Sequence, residues 1–120
     1  ISIFANKYLN NEKPIIYGDG EQKRDYIYVK DVISALIKAS KIDENHFLNI
    51  GTGQEISVND LANSMKIQFN SGIEPTYKPA REGELKRSVL NNAKAKRDLD
   101  WEPVYSLDDG MEAVFNWLKS

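Results

Sequence analysis

Apolar side chains recur at intervals of three or four residues in four stretches of the chain, a period typical of helices. These stretches are residues 1–9, 30–41, 57–69 and 106–118, and Asn92 is placed to cap a fifth, shorter helix that ends near Leu99. Apolar runs without that period predict strands at 15–17, 26–29 and 47–50, and residues 75–79 suit a sheet edge because prolines enclose them. Helices and short strands alternate, which predicts an α/β fold.

Polar residues mark where the predicted helices begin and where the chain turns. Ser57 stands three residues before Asp60, a spacing typical of a capping box, and Ser106 is placed to cap the last helix. Gly18-Asp19-Gly20 predicts a reversal between two strands, and the stretch 80–89, which has no clear period, predicts a loop.

Composition and charge narrow the possible functions. The chain has 120 residues, 41% hydrophobic and 28% charged, which predicts one soluble domain with a single core. Sixteen basic and 18 acidic residues leave a net charge of −2, so we expect neither nucleic acid nor anionic lipid as a partner. The absence of cysteine permits a reducing cytoplasm, the location we expect. No apolar run approaches the roughly 20 residues that span a bilayer, so we expect no membrane partner.

The first candidate for chemistry is Arg24, which follows the glycine turn within the run 17–32. A guanidinium grips two phosphate oxygens at once and keeps its charge at physiological pH. If residues 26–29 form a strand, Arg24 and Tyr26 project to one face, where a cation and an aromatic ring suit a phosphate joined to a ribose or a base. The alternative that stays open is a surface ion pair of Arg24 with Asp25 or Asp31.

The second candidate is Arg81-Glu82-Gly83-Glu84, where a flexible glycine separates a cation from an acceptor. Arg81 suits a second phosphate oxygen, and Glu84 suits the hydroxyls of a diol such as ribose. Taken alone, the segment is better interpreted as a solvated loop, and its role as a binding segment depends on the first candidate.

Other conspicuous residues predict no site. Residues 49–53 place glycines after a predicted strand, but they lack GxGxxG and a Gly-Lys-Ser/Thr ending, so we expect them only to turn the chain. His46 is the sole histidine and has no second nitrogen or sulfur ligand beside it, which predicts no metal site. Trp101 and Trp117 are expected to be packing residues.

Five segments, in this order, resemble the C-terminal part of the extended short-chain dehydrogenase/reductase family, the NAD-dependent nucleotide-sugar epimerases and dehydratases. They are Ile15 to Gln22, Arg24 to Val32, Phe47 to Gly53, Arg81 to Glu84 and Lys94 to Pro103. The chain is most similar to the UDP-glucose 4-epimerase branch. The resemblance implies that residues 1–120 are the substrate-binding C-terminal portion of a Rossmann-type enzyme, a fragment whose N-terminal NAD-binding Rossmann domain is absent from the sequence.

The resemblance also implies roles for individual residues. The backbone around Ile15 and Tyr17 would lie against the uracil or thymine ring. Arg24 and Arg81 would grip the diphosphate from two sides. Glu84 stands where these enzymes usually have an aspartate that binds the ribose.

The catalytic half of the family's machinery is missing from the sequence. No glycine-rich NAD loop occurs in these residues, and the resemblance places the catalytic Tyr-x-x-x-Lys pair in the missing half, so it implies no catalytic or cofactor-binding residue here and an inactive fragment. NAD would bind to the intact parent, which is expected to be a homodimer. The predicted strand at 47–50 and the helix before it are expected to pack against the missing half.

The implied function is binding of a UDP-sugar in an NAD-dependent sugar epimerase, in the first place UDP-glucose 4-epimerase. A dTDP-glucose 4,6-dehydratase or a decarboxylase of the same family is an alternative. An alternative of another class is a non-catalytic binding module.

Overall fold

The structure, a computed structural model, describes residues 1–120 and contains five helices and five short strands. The helices are α1 (Ser2–Leu9), α2 (Val29–Ala39), α3 (Val58–Gln68), α4 (Ala93–Leu99) and α5 (Leu107–Lys119). The strands are β1 (Ile15–Tyr17), β2 (Lys23–Arg24), β3 (Ile56–Ser57), β4 (Thr76–Lys78) and β5 (Arg87–Ser88). This mixture of helices and short strands confirms the predicted α/β fold.

The strands form two small sheets, one of two strands and one of three. β1 pairs with β4 in parallel, and β2 lies between the antiparallel β3 and the parallel β5. The chain passes from β1 to β2 through residues 18–22, and from β4 to β5 through residues 79–86. β1 is parallel to β4, and β2 is parallel to β5, so the two connections lie side by side. They bring the glycine turn next to the loop that carries Arg81 and Glu84.

Both predicted serine caps are confirmed. Ser57 forms a capping box with Asp60 at the start of α3, and Ser106 forms one with Asp109 at the start of α5. Each box satisfies N–H groups that the first turn of a helix leaves without partners. Asn92 precedes α4 as predicted, but its side chain donates to the Gly51 carbonyl at 2.9 Å instead of capping the helix.

The predicted strand at 26–29 is wrong. β2 ends at Arg24, and α2 begins at Val29. Between them Tyr26 packs against one hydrophobic cluster and Ile27 against another, so neighbouring side chains do point in different directions. No strand pairs with this segment, and its apolar character comes from burial between two clusters.

The predicted strand at 47–50 is also wrong. The segment has no hydrogen-bonded partner strand, and Phe47 is 91% exposed. Leu48 and Ile50 pack against the same cluster as Ile27. Their apolar side chains therefore anchor an irregular segment, whereas a strand needs a neighbouring backbone that this chain does not supply.

The expected single core is replaced by two small clusters of buried residues. The first comprises Tyr8, Leu61, Met65 and Met111, contributed by α1, α3 and α5. The second comprises Ala35 from α2, Ala95 and Leu99 from α4, and Trp101 from the segment just after α4. Two clusters form because the chain is only 16 Å thick, with a radius of gyration of 16.4 Å against the roughly 14 Å of a compact domain of this length.

The flat shape leaves one apolar helix face exposed. Val29, Ile33, Leu36 and Ile37 lie on one side of α2 and are each about half exposed or more.

Trp117 is 73% exposed, so its expected packing role is wrong within this chain, whereas Trp101 is buried as predicted. None of the five helices combines the length and the apolar character needed to cross a membrane.

Candidate anion-binding site

Side chains from three segments converge where the two connections between the sheets run side by side. β1 supplies Tyr17, β2 supplies Arg24 with Gln22 just before it, and the 79–86 connection supplies Arg81 and Glu84. Backbone bonds fix both ends of this region: Gly18 N–H donates to the Lys78 carbonyl at 2.8 Å, and Lys23 N–H donates to the Lys86 carbonyl at 2.9 Å. The structure thus brings together residues that are about 60 positions apart in the sequence.

The glycine turn is held in place from outside by Asn59. The Asn59 amide donates to the Asp19 carbonyl at 2.9 Å and to the Glu21 carboxylate at 2.7 Å, and it accepts from the Tyr77 hydroxyl at 2.9 Å. Gly20 has a φ of +78°, and a Cβ there would lie 2.0 Å from Asn59 Oδ1. Only glycine allows this turn to lie so close to α3.

Arg24 is partly exposed and has one loose ionic partner. Its Nη1 donates to the Lys23 carbonyl at 2.8 Å, and its Nη2 lies 3.8 Å from Glu84 Oε1. The alternative pairing of Arg24 with Asp25 or Asp31 is wrong, because both carboxylates accept backbone hydrogen bonds elsewhere. An exposed ion pair at this distance contributes little, so the guanidinium is able to exchange Glu84 for a stronger anion.

Arg81 stacks on the aromatic ring of Tyr17. Its guanidinium carbon lies 3.9 Å from the ring centroid, a distance typical of a cation–π contact. By hydrogen bonding and by its positive charge, Arg81 lowers the pKa of the Tyr17 hydroxyl. None of the ion pairs in the chain involves Arg81, so its contact with Tyr17 orients the cation and leaves its remaining donors available to an anion.

Gln22 connects the two halves of the site, although the sequence predicts no separate role for its side chain. Its amide nitrogen donates to the Tyr17 carbonyl at 3.0 Å and lies 3.5 Å from Glu84 Oε1. Its position two residues before Arg24 was the one available signal, since residues i and i+2 of a strand share a face.

The remaining predicted residues lie at different places. Ile15 is half-buried at the start of β1, opposite Thr76. Tyr26 packs against the cluster of Tyr8, Leu61, Met65 and Met111. Burial raises the pKa of the Tyr26 hydroxyl, and the nearby positive charge of Arg24 partly opposes this. Tyr26 therefore lies within electrostatic range of Arg24 but is anchored in the core.

The loop at 51–53 does not leave the amides of Thr52 and Gly53 free for a phosphate. The N–H groups of Thr52 and Gly53 each donate to the Asp25 carboxylate at 2.9 Å. A Cβ on Gly51 would lie 2.7 Å from Asp25 Oδ2, so the loop packs directly on that carboxylate. The loop does not fit the pyrophosphate of NAD, and no group of His, Cys, Asp or Glu in the chain could hold a metal ion.

The acid sensitivity of the fold provides a first prediction. Burial acts to raise the pKa of Asp25, but hydrogen bonds from Thr52, Gly53 and Leu90 outweigh it and hold the pKa below its usual value. A lowered pKa stabilises the fold above the usual Asp range near about 4, and this contribution is lost as pH falls through the folded-state value.

We therefore expect Asp25→Asn to flatten the decline of the unfolding free energy as the pH falls from neutral into the acid range. Urea denaturation at a series of pH values measures it. Equal declines in the variant and the natural protein would contradict the expectation.

The five converging side chains combine two permanent cations, a carboxylate, an amide and an aromatic ring. This set suits binding of a dianion that is joined to a hydroxyl-bearing or planar group. Charge-assisted hydrogen bonds and stacking are the interactions that these side chains offer to such a ligand.

Comparison with known proteins shows the family. The model of the GDP-mannose 4,6 dehydratase family matches residues 1–114. A Methanocaldococcus jannaschii protein with a provisional assignment as UDP-glucose 4-epimerase is 44% identical over 120 residues, which are 100% of this chain and 39% of that protein.

Solved structures agree with the family match. UDP-glucose 4-epimerase from Thermotoga maritima, determined with UDP-glucose, is 40% identical with a TM-score of 0.95, over 98% of this chain and 38% of that one. UDP-glucuronic acid 4-epimerase from Bacillus cereus, in complex with UDP-glucuronic acid and NAD, is 27% identical with a TM-score of 0.89, over 98% of this chain and 38% of that one. The chain thus spans 38–39% of the length of these relatives. It belongs to the NAD-dependent epimerase/dehydratase family that the matching model represents, and it corresponds to a C-terminal part of these larger enzymes.

Proposed function

We propose that this chain binds the diphosphate of a UDP-sugar in an NAD-dependent nucleotide-sugar 4-epimerase, with UDP-glucose as the first candidate substrate. The convergence of Arg24 and Arg81 beside Glu84 carries the proposal. The relatives support it at a coarser level, since they include epimerases of UDP-glucose and UDP-glucuronate and a UDP-glucuronic acid decarboxylase.

In this proposal the substrate diphosphate replaces Glu84 as the partner of Arg24. A phosphate oxygen accepts charge-assisted hydrogen bonds from a guanidinium in the two-pronged geometry that the loose 3.8 Å contact lacks. Arg81, already oriented by the Tyr17 ring, donates to the same diphosphate. Glu84, released from Arg24, accepts from the ribose hydroxyls, and the backbone at Ile15 and Tyr17 borders the base. Tyr26 stays a predicted contact of the substrate. In this structure it is linked to the site only by its electrostatic interaction with Arg24.

The binding site serves a reaction that takes place on other residues. Holding the nucleotide at a fixed position lets binding energy from the non-reacting part of the substrate orient the sugar carbon. The loop at 51–53 does not fit NAD, so we assign the cofactor and the catalytic groups to residues outside this chain. The 120 residues alone are proposed to be inactive.

The exposed apolar face of α2 supports a proposal about what this chain contacts within the same enzyme. We assign Val29, Ile33, Leu36 and Ile37 to contact with the remainder of the enzyme, and we propose a homodimer for the whole protein. Light scattering on the full-length protein measures its mass in solution.

Arg24→Ala in the full-length protein tests the site. We expect UDP to bind with a free energy less favourable by about 1.5–3 kcal/mol, because hydrogen bonds to a charged group are lost. Calorimetric titration with UDP measures the change. Lys23→Ala is the matched control, since Lys23 is the adjacent cation of β2 and pairs with Glu55 at 3.7 Å. Equal affinities in natural protein and Arg24→Ala would overturn the proposal.

The choice between epimerase and dehydratase needs a product measurement. The full-length enzyme is incubated with UDP-glucose and, separately, with dTDP-glucose, and the products are identified by NMR. We expect the C4 epimer from UDP-glucose. A 4-keto-6-deoxy product from dTDP-glucose would favour the dehydratase alternative, and turnover of neither substrate would favour a binding module.

A further inference from the structure

Asp25 directly follows Arg24, the arginine proposed to bind phosphate, yet its carboxylate forms no ion pair with Arg24. It accepts from the Thr52 N–H at 2.9 Å, the Thr52 hydroxyl at 2.5 Å, the Gly53 N–H at 2.9 Å and the Leu90 N–H at 3.3 Å. We propose that Asp25 is a positioning residue for Arg24: its carboxylate ties together the segments on both sides of β2 and so fixes where the guanidinium stands. This inference rests on the proposed function.

The bonds of Asp25 reach both neighbours of β2. Thr52 and Gly53 lie on the segment that leads into β3, and Leu90 lies on the segment that leaves β5. β3 and β5 are the two strands between which β2 is paired. One side chain therefore connects all three strands at the end of the sheet next to Arg24.

The sheet itself is too small to fix Arg24 without such a connection. β2 has two residues, and Arg24 is its last, opposite Ile56 on one side and Ser88 on the other. Beyond it, the Asp25 N–H donates to the Ser88 carbonyl at 3.1 Å. Sheets this short are marginal, and the carboxylate adds hydrogen bonds to charge, which are stronger than neutral ones.

Gly51 packs directly against the Asp25 carboxylate. A Cβ on Gly51 would lie 2.7 Å from Asp25 Oδ2 and 2.8 Å from the Leu90 Cβ. The carboxylate thus has a glycine on one side and N–H donors on the other.

A purely structural role predicts different behaviour, and Asp31 provides the comparison. Asp31 also accepts two backbone N–H bonds, from Val104 at 3.0 Å and from Tyr105 at 3.2 Å. Its bonds join α2 to the segment before α5 and do not reach β2. Asp31→Asn is therefore a matched control. It also removes a carboxylate that binds backbone amides, but at a place in the fold away from Arg24.

A double-mutant cycle on the full-length protein tests the proposal. UDP affinity is measured by calorimetry for the natural protein, Asp25→Asn, Arg24→Ala and the double variant. We expect Asp25→Asn to weaken UDP about tenfold, and to cause less than about a twofold further loss when Arg24 is already alanine. Asp31→Asn is expected to lower the melting temperature but to leave UDP affinity within about twofold of the natural value.

Two results would overturn the proposal: an Asp25→Asn variant with natural UDP affinity, or losses that simply add in the double variant. Failure of the proposed function is recognised separately, because Arg24→Ala alone would then leave UDP affinity unchanged, and the assignment of Asp25 would fall with it.

Threonine variants keep the test valid if Asp25→Asn does not fold. Thr52→Val removes the hydroxyl that donates to Asp25, and Thr52→Ser retains it. We expect the valine variant to bind UDP more weakly and the serine variant to bind like the natural protein. Equal UDP affinities of the folded valine and serine variants would overturn the role of this contact in positioning Arg24.

Discussion

Replacing Trp101 with alanine is expected to lower the free energy of unfolding by about 3–5 kcal/mol, the usual cost of truncating a large buried aromatic residue. Trp101 is 1% exposed and packs with Ala35, Ala95 and Leu99, and the two alanines are too small to fill the cavity that its removal would leave. Its indole N–H donates to the Ser34 hydroxyl at 2.8 Å and lies 3.2 Å from the Asp31 carbonyl. The substitution therefore removes apolar contacts and a buried donor together.

Equilibrium denaturation in urea measures this loss, and Trp117 provides the control. Trp117→Ala removes the same side chain from a position that is 73% exposed, so we expect a change within about 0.5 kcal/mol. Equal losses for the two variants would contradict the assignment of Trp101 to the second cluster. Trp101→Phe separates the two contributions, since it keeps most of the ring volume and loses the indole donor.

Helices were predictable because each one carries its own signals. The apolar periods of α3 and α5, with the spacings Ser57 to Asp60 and Ser106 to Asp109, are local in the sequence, and the structure confirms both capping boxes. Strands depend on a partner that the local sequence does not reveal. Residues 26–28 and 47–50 have the apolar composition of strands but no neighbouring backbone with which to pair, so they are irregular segments.

The candidate site was predictable in its residues but not in its supports. Arg24, Arg81 and Glu84 stand out because their charges lie beside glycines that allow turns, and the parallel pairing of the strands brings them together. Asp25 contacts mainly backbone N–H groups, which nearly every residue carries, and Asn59 contacts residues that are distant in the sequence. Such contacts leave little trace in a sequence, so the sequence predicts Asp25 only as an ion-pair partner of Arg24.

The second large effect is expected for the variant in which both Arg24 and Arg81 are alanine. Each guanidinium is proposed to make charged hydrogen bonds worth about 1.5–3 kcal/mol, so losses that add would weaken UDP binding by about 3–6 kcal/mol, or roughly 10²- to 10⁴-fold in Kd. Uridine, which lacks phosphate, is expected to bind equally to the variant and the natural protein. Calorimetric titration of the full-length protein with both ligands measures the difference.

A second pair of cations makes the experiment specific to the site, because removing positive charge anywhere nearby weakens an anion to some degree. Lys23 and Arg87 belong to β2 and β5, the parallel strands next to the site, but both pair with Glu55. Replacing them with alanine removes the same net charge from the sheet beside the site, and screening at physiological salt limits the long-range effect that both double variants share. A selective loss of UDP affinity in the Arg24 and Arg81 variant would locate the diphosphate between these two residues. Equal losses in both variants would show that only the overall field is involved, and the diphosphate site would then have to lie elsewhere.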